Sequence, residues 1–312
     1  MTNSFLYAFD KNYEKQGSVS IFSLLENVNK KINIFVLTEN SSENLNFPET
    51  LLKHKNLNFL KVKNISINDK LFNLKEAHVS RATFYRLYLS QVFGEDEFDI
   101  VYLDADIICI SNPLEKISST FNEMKNLNLN FAGLDEFYNF QNKEPFLRLG
   151  MQSDKYFNAG VMLINLKGWN EDKISAKSIE SISKLKQKAI FWDQDILNSV
   201  IDGKYYSFSP SLNYKTSKLL KNKLTNDDVI FIHFSGKGKP WDAGGIFEDL
   251  AFFYHNFYYK LYQKKFHVVT VNRKNSIIKL LKNSKNFYRL NIFDLLIYFF
   301  KTINSIFKKK EL

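Results

Sequence analysis

The 312-residue chain contains a single cysteine, Cys109, and only five prolines and eleven glycines. One thiol cannot build an internal disulfide framework, and its scarcity fits a reducing compartment. No 18 apolar residues run consecutively; the longest apolar run, Leu295–Phe300, is six residues, far short of the roughly 20 that span a bilayer. The opening residues, MTNSFLYAFD, carry no basic stretch and no long apolar core, so a secretory signal is not expected. There is no internal repeat, no Gly/Ser- or Pro-rich linker, and no Gly-x-Gly-x-x-Gly after the first apolar stretch, which argues against a dinucleotide oxidoreductase. Composition excludes disorder as the global state: 45% of residues are apolar and 24% charged, and 30 Phe with 16 Tyr supply ample core volume.

Acid is what the C-terminal segment lacks. Residues 260–312 hold 13 Lys or Arg against two acids, Asp294 and Glu311, a net of +11, whereas the preceding 259 residues hold 30 basic against 31 acidic residues. The whole basic excess therefore sits at one end and points to a polyanionic surface, nucleic acid or acidic lipid. Apolar residues recur there three and four apart, through Ile277, Leu280, Leu281 and Phe287, then Ile292, Phe293, Leu296, Phe299, Phe300, Ile303 and Phe307, with Lys279, Lys282, Lys285, Arg289, Lys301 and Lys308 to Lys310 interspersed. That spacing predicts amphipathic helices. Nucleic acid gives no reason for so wide an apolar face and is not expected as a partner. An in-plane helix on an anionic membrane is expected instead, the alternative being helices docked on the remainder of the protein. The composition shift divides the chain into residues 1–259 and a basic tail, residues 260–312.

Along the first 259 residues, short apolar stretches alternate with helical patterns. Strands are expected at Phe5–Phe9, Ile32–Thr38, Ile100–Leu103, Phe131–Leu134, Val161–Ile164 and Val229–Phe234, and helices at Ser18–Asn29, Thr83–Val92 and Asp193–Val200. The alternation predicts an α/β layered fold with a largely parallel sheet.

Three segments carry chemistry. In VYLDADIICISNPL, Val101 to Leu114, an apolar strand runs into Asp104-Ala105-Asp106. Ligands of α/β sheets bind beyond the carboxyl ends of strands, and two carboxylates flanking a small residue can share a hard divalent cation such as manganese or magnesium. The alternative is a pair of acids that simply ends a strand at the surface. In IFIHFSGKGKPW, Ile230 to Trp241, a strand delivers His233, and Gly236, Lys237, Gly238 and Lys239 follow. Glycines let backbone N–H groups approach phosphate oxygens and lysine adds a point charge; His233 is a third ligand or a satisfied core histidine. In YFNAGVMLINLKGW, Tyr156 to Trp169, Asn158-Ala159-Gly160 enters an apolar strand, as sugar-contacting residues or ordinary turn chemistry. Further on, Phe191–Leu197 reads FWDQDIL, with Asp193 a candidate N-cap and Gln194 in the first helical turn.

Together these segments resemble glycosyltransferase family 8, which includes bacterial lipopolysaccharide and lipooligosaccharide galactosyl- and glucosyltransferases and glycogenin. Tyr102-Leu103-Asp104-Ala105-Asp106, Phe157-Asn158-Ala159-Gly160-Val161, Asp193-Gln194-Asp195 and His233-x-x-Gly236-x-x-Lys239-Pro240-Trp241 occur in the family's order and spacing. Ala8-x-Asp10-x-Asn12-Tyr13 and Thr83-x-x-Arg86-Leu87 add to the likeness, which covers about residues 4–259. The resemblance implies a GT-A fold binding a UDP-sugar and a divalent metal, manganese or magnesium. By it, Asp104, Asp106 and His233 hold the metal; Ala8, Asp10, Asn12 and Tyr13 hold uridine; Gly236 and Lys239 contact phosphates; Asp104, Ala105 and Asp106 line the donor site. Arg86, Asp135, Asn158, Asp193 and Gln194 surround the donor sugar, with Gln194, Asp193 and Asp135 as the catalytic candidates. It further implies retention of anomeric configuration and a glycan or lipid-linked acceptor. The tail would keep the enzyme on the cytoplasmic face of the membrane.

Two competing readings are weaker. A haloacid-dehalogenase-type phosphatase also places Asp-x-Asp after a strand, but it wants Thr or Val where Ile108 stands, and no later Gly-Asp-x-x-x-Asp follows. A non-catalytic binder with a degenerate transferase domain is opposed by the intact Asp104, Asp106, His233 and Lys239.

Overall fold

The computed structural model describes residues 3–39, 44–67, 81–136, 143–185, 188–216, 228–236, 238–248, 250–270, 273–283 and 290–308. Lys237, Lys285, Phe287, Arg289, Lys309 and Lys310, named above, lie outside the described residues. Among the described residues there are ten strands: β1 Ser4–Ala8, β2 Ile32–Glu39, β3 Leu57–Ile65, β4 Asp99–Leu103, β5 Ile107–Cys109, β6 Phe131–Asp135, β7 Phe157–Asn165, β8 Tyr206–Ser207, β9 Tyr214–Lys215 and β10 Phe231–His233. Seven form one sheet in the order β3-β2-β1-β4-β7-β6-β8, and three form a small sheet in the order β5-β10-β9. Within the large sheet β3, β2, β1 and β4 pair in parallel, β7 runs antiparallel between β4 and β6, and β8 pairs parallel with β6. The α/β expectation with a largely parallel sheet holds.

Both faces of the sheet are buried along β1, β2, β4, β6 and β7, which is why these strands read as nearly continuous apolar runs. Alternate residues of β1, β2, β4 and β7 enter two cores. Phe5, Tyr7, Ile34, Val36, Val101, Leu103, Val161 and Leu163 face one of them, with the helix Glu14–Asn27. Leu6, Phe35, Leu37, Ile100, Tyr102, Met162 and Ile164 face the other, with the helices Ile174–Leu185 and Trp192–Ile201. The helix Glu14–Asn27 buries serines as well: Ser20 Oγ donates to the Ile107 carbonyl at 2.5 Å, Ser23 Oγ accepts the Cys109 N–H at 3.0 Å, and Asn27 donates to the Cys109 carbonyl at 3.0 Å. These bonds strap β5 to the helix.

Several expectations are corrected in detail. Asn158-Ala159-Gly160 is not a turn: β7 starts at Phe157, so all three lie inside a strand. The segment Thr83–Val92 is a 3-10 helix, Arg81–Tyr88, followed by a short α-helix, Leu89–Phe93; Thr83, Phe84 and Tyr85 are poor α-helix formers. Strand β3 went unanticipated because its sequence, LNFLKVKNI, alternates poorly. It is an edge strand, where lysines suppress further pairing. The helix Ala251–Tyr262 carries residues 259 and 260, and its Phe257, Tyr258 and Leu261 belong to the core shared with the helix Glu14–Asn27.

Beyond it come the helices Arg273–Asn283 and Ile292–Phe307. They are partly docked. Tyr298, Thr302 and Ile306, four residues apart, are buried, and Tyr298 packs with Phe247, Phe266 and Leu280 while donating to the Ala243 carbonyl. Phe293, Phe300 and Phe307 remain 74%, 62% and 70% exposed. Among the described residues no helix is long and apolar enough to cross a membrane.

Candidate active site

Strand β4 ends at the carboxyl edge of the parallel strands, and the turn Asp104-Ala105-Asp106 passes the chain into β5 of the small sheet. The Asp104 N–H donates to the Gly160 carbonyl at 2.8 Å, tying the turn to β7. Strand β10 runs antiparallel to β5 with His233 opposite Ile107, and the Phe234 N–H donates to the Asp106 carbonyl at 3.1 Å. That register, invisible in the sequence, brings His233 to the two acids. His233 Nε2 lies 3.4 Å from Asp106 Oδ1, and one ligand atom from each of Asp104, Asp106 and His233 falls within 4.8 Å of the others. Gly160 makes this approach feasible: a Cβ there would lie 2.2 Å from His233 Cε1. The glycine serves the histidine's ring rather than a turn.

Every charge in the cluster has an opposite beside it, which buried charges require. Burial alone would push the Asp106 carboxyl up, but Lys239 and His233 outweigh it and hold it well below the usual carboxylate range. Lys239 Nζ donates to Asp106 Oδ2 and, at 2.6 Å, to the Phe234 carbonyl. Asp106 Oδ1, by contrast, is buried and, among the described residues, meets only His233 Nε2, at 3.4 Å, with no hydrogen bond made to it. An orphaned carboxylate oxygen beside an imidazole and a second carboxylate is the donor set a hard divalent cation accepts.

Arg86, at the inner end of the 3-10 helix, spans the other side. Its Nη2 donates to Asp104 Oδ1 at 2.5 Å, its Nη1 to the Ala159 carbonyl at 2.5 Å, and its Nε lies 2.9 Å from Asp193 Oδ2, with the guanidinium 4.4 Å from the Tyr102 ring. Tyr102 hydroxyl also donates to Asp104 Oδ1, at 2.8 Å. Burial raises the Asp193 carboxyl to about 7, against the pull of Arg86 and with help from Asp104. Of the alternatives open for Asp193, the N-cap is not the one taken. The helix Trp192–Ile201 has Phe191 at that position with no side-chain cap, and Asp195 Oδ2 accepts the Ile190 and Phe191 N–H groups at 2.7 and 3.0 Å.

Gln194 projects from the first turn of that helix to β7, where its Oε1 accepts from the Ala159 N–H at 3.0 Å and from Asn158 Nδ2 at 3.1 Å. Asn158 Nδ2 also donates to Glu136 Oε1 at 2.8 Å, and Lys215 Nζ contacts both Glu136 oxygens at 2.6 Å. The parallel β1–β4 register, Tyr7 beside Leu103, puts Ala8, Asp10 and Asn12 at the same sheet edge as Asp104. Asp10 caps the 3-10 turn Lys11–Tyr13, accepting from the Asn12 and Tyr13 N–H groups at 3.0 and 3.3 Å. Tyr13 meets Trp241 edge-on at 6.0 Å. Gly236 and Gly238 adopt φ of +73° and +86°, a region L-residues avoid, just before Lys239.

Asp135 is the expected residue that is not brought into this network. It ends β6 and accepts from the Tyr205 hydroxyl, while its neighbour Glu136 reaches Asn158. Glu136, Lys215 and Asn213 escaped the sequence reading, and Tyr102 was read only as a motif member, without its bond to Asp104. Glu136 stood beside Asp135 in LDEF, but nothing in the local pattern singled out Lys215 or Asn213.

The family model described as Glycosyl transferase family 8 matches residues 5–245. The chain is 28% identical over 266 residues to a lipopolysaccharide 1,2-glucosyltransferase of Escherichia coli strain K12, covering 79% of this chain and 75% of that protein. It is 29% identical over 259 residues to a lipopolysaccharide 1,3-galactosyltransferase of Salmonella typhimurium strain LT2, covering 79% and 75%. Among solved structures, the galactosyltransferase LgtC in complex with donor and acceptor sugar analogues is similar with a TM-score of 0.69 at 21% identity, covering 83% of this chain and 96% of that one. That likeness establishes the GT-A α/β fold.

Proposed function

The chain belongs to glycosyltransferase family 8, and from that premise we propose that it transfers a hexose, galactose or glucose, from a UDP-sugar to a glycan acceptor with retention of anomeric configuration. The pathway is lipopolysaccharide, lipooligosaccharide or other surface-glycan synthesis, in line with the named activities of its relatives. The observation that carries the reading is the convergence of Asp104, Asp106 and His233 within 4.8 Å at the carboxyl edge of the sheet. These three would hold manganese, with magnesium as the alternative. When bound, such a cation supplies charge neutralisation for the departing diphosphate.

The remaining work falls to the chain itself. Ala8, Asp10, Asn12 and Tyr13 receive the uridine, and the open backbone at Gly236 with the Lys239 ammonium receives phosphate oxygens. Ala105 keeps the turn narrow enough for the donor. Arg86, Asp193 and Asn158 orient the sugar hydroxyls, and Asp135 is retained only as a residue at the site's margin. Gln194 lies beneath the sugar. Both lone-pair directions of its Oε1 are already taken by Ala159 and Asn158, and an amide is a poor nucleophile, so same-face attack by the acceptor hydroxyl is favoured over a stable glycosyl-enzyme. Asp193, its proton affinity raised by burial, can hold or release a proton near neutral pH.

Residues 1–259 form the catalytic unit in this reading and residues 260–312 an attachment to an anionic membrane on the cytoplasmic side. The exposed stripe of Phe293, Phe300 and Phe307 supports it. The test is hydrolysis and transfer with UDP-galactose, UDP-glucose and UDP-N-acetylglucosamine, with and without chelator. Turnover that is indifferent to chelation would defeat the metal assignment; absence of turnover with every UDP-sugar would defeat the donor assignment.

A further inference from the structure

The second ring nitrogen of His233 has a partner that no motif predicted. His233 Nδ1 lies 2.9 Å from Oδ1 of Asn213, a fully buried residue. Asn213 Nδ2 donates to Asn158 Oδ1 at 2.9 Å, and that oxygen also accepts the backbone N–H of Gly160 at 3.0 Å. Directions along this chain of amides are fixed by the backbone of β7. A peptide N–H only donates, so Gly160 turns the oxygen of Asn158 towards itself, and the Ala159 N–H likewise claims the oxygen of Gln194 at 3.0 Å. With the Asn158 oxygen accepting, Asn213 presents its NH2 to it and its own oxygen to the imidazole. An amide oxygen only accepts. In the neutral imidazole the proton therefore sits on Nδ1, and the lone pair is left on Nε2, the nitrogen 3.4 Å from Asp106.

We propose that Asn213 is a positioning residue that locks His233 in its Nδ1-protonated tautomer and so keeps Nε2 available as a cation ligand. In the same arrangement, successive N–H groups of Ala159 and Gly160 set the polarity of both this relay and Gln194. The ligand half rests on the metal reading above; the tautomer half does not. Ring nitrogens of metal-binding histidines are commonly oriented by such an outer partner, whose loss weakens binding by about 10- to 100-fold.

Two-bond proton–nitrogen NMR spectra of the full-length, metal-free protein, assigned with His233→Gln, read the tautomer directly. The wild type should carry the proton on Nδ1. Asn213→Ala should shift it to Nε2 or to a mixture, and Asn213→Asp, which keeps an oxygen facing Nδ1, should restore the wild-type form. A wild-type histidine protonated on Nε2, or a folded Asn213→Ala variant with an unchanged spectrum, overturns the proposal. Titration with Mn2+ followed by electron paramagnetic resonance supplies the second readout. Asn213→Ala should bind about tenfold more weakly and Asn213→Asp near wild type; equal losses in both overturn the positioning role. Mn2+ affinity indifferent to His233→Gln would overturn the metal reading and with it the ligand half, while the spectra still decide the tautomer.

Discussion

The carboxyl edge of the large sheet and the C-terminal helix treat unpaired chemistry in opposite ways. At the sheet edge, Arg86, Asp106, Asp193, His233 and Lys239 are largely buried and interlocked, and each charge is answered within a few ångströms. On the helix Ile292–Phe307, one stripe docks while Phe293, Phe300 and Phe307 are largely exposed. A buried charge left alone costs several kcal/mol, so the site over-determines its own residues. An exposed apolar face is stable as it stands and points outward, to another surface.

Breaking the pairing at the sheet edge should have the largest effect. Asp104→Asn and Asp106→Asn should each lower UDP-sugar hydrolysis by at least about 100-fold while leaving the fold, checked by circular dichroism, and sedimentation with anionic liposomes intact. Rates near wild type without added manganese in both variants would remove the metal from the comparison. Next, Gln194→Ala should lower kcat by about 10- to 100-fold with UDP affinity, measured by calorimetry, unchanged, because its contact matters in the transition state. Weakened UDP binding at retained kcat would assign Gln194 to ground-state binding instead.

The tail sharpens the contrast from the other side. Replacing Phe293 and Phe300 together by Ser removes two apolar anchors worth about 1.5–3 kcal/mol each when buried, so liposome binding should weaken by about tenfold or more. Turnover and melting temperature should change little, since both side chains are largely exposed, at 74% and 62%. Liposome binding that survives this change, or is absent in the wild type, refutes the membrane reading; binding only partly reversed by salt supports it.

The smallest effect concerns pH. Folded Asp193 keeps its proton up to about 7, whereas its ordinary carboxyl value is 3.8. Between those values the folded state binds more protons than the unfolded state, so stability falls as pH rises from about 4 to 7. The melting temperature of metal-free wild type should drop by a few degrees across that interval, and Asp193→Asn should flatten the slope. A slope unchanged in the variant would place the titration elsewhere.

How much of this was legible depended on sequence distance. Asp104, Asp106, Gly236 and Lys239 announce themselves because local spacing specifies them, and β1, β2 and β4 because strands buried on both faces read as apolar runs. Asn213 and Lys215 are set by pairing between β9 and β10 and the closure of β10 on β5, and no local period records a non-local register. Gly160 was misread for the same reason: the ring it accommodates comes from a residue 73 positions later. In the tail, periodicity gave helices but could not say which stripe docks, because the partners of Tyr298, namely Ala243, Phe247 and Phe266, lie far away in sequence.

The turn from Asp104 to Asp106 is the seam between two sheets, and its mechanical consequence follows. One carboxylate travels with the large sheet; the other, with His233, travels with the small one. Any sliding of the small sheet would change the spacing of the three groups directly, so the cage works as a gauge of how the two sheets are seated. The serines of the helix Glu14–Asn27, bonded to Ile107 and Cys109 from behind, act as the bracket that keeps the gauge at its setting. A ligand gripping both sides of the seam would in turn rivet the sheets together, so that occupancy of the site should be felt as stiffness across strands that never touch it.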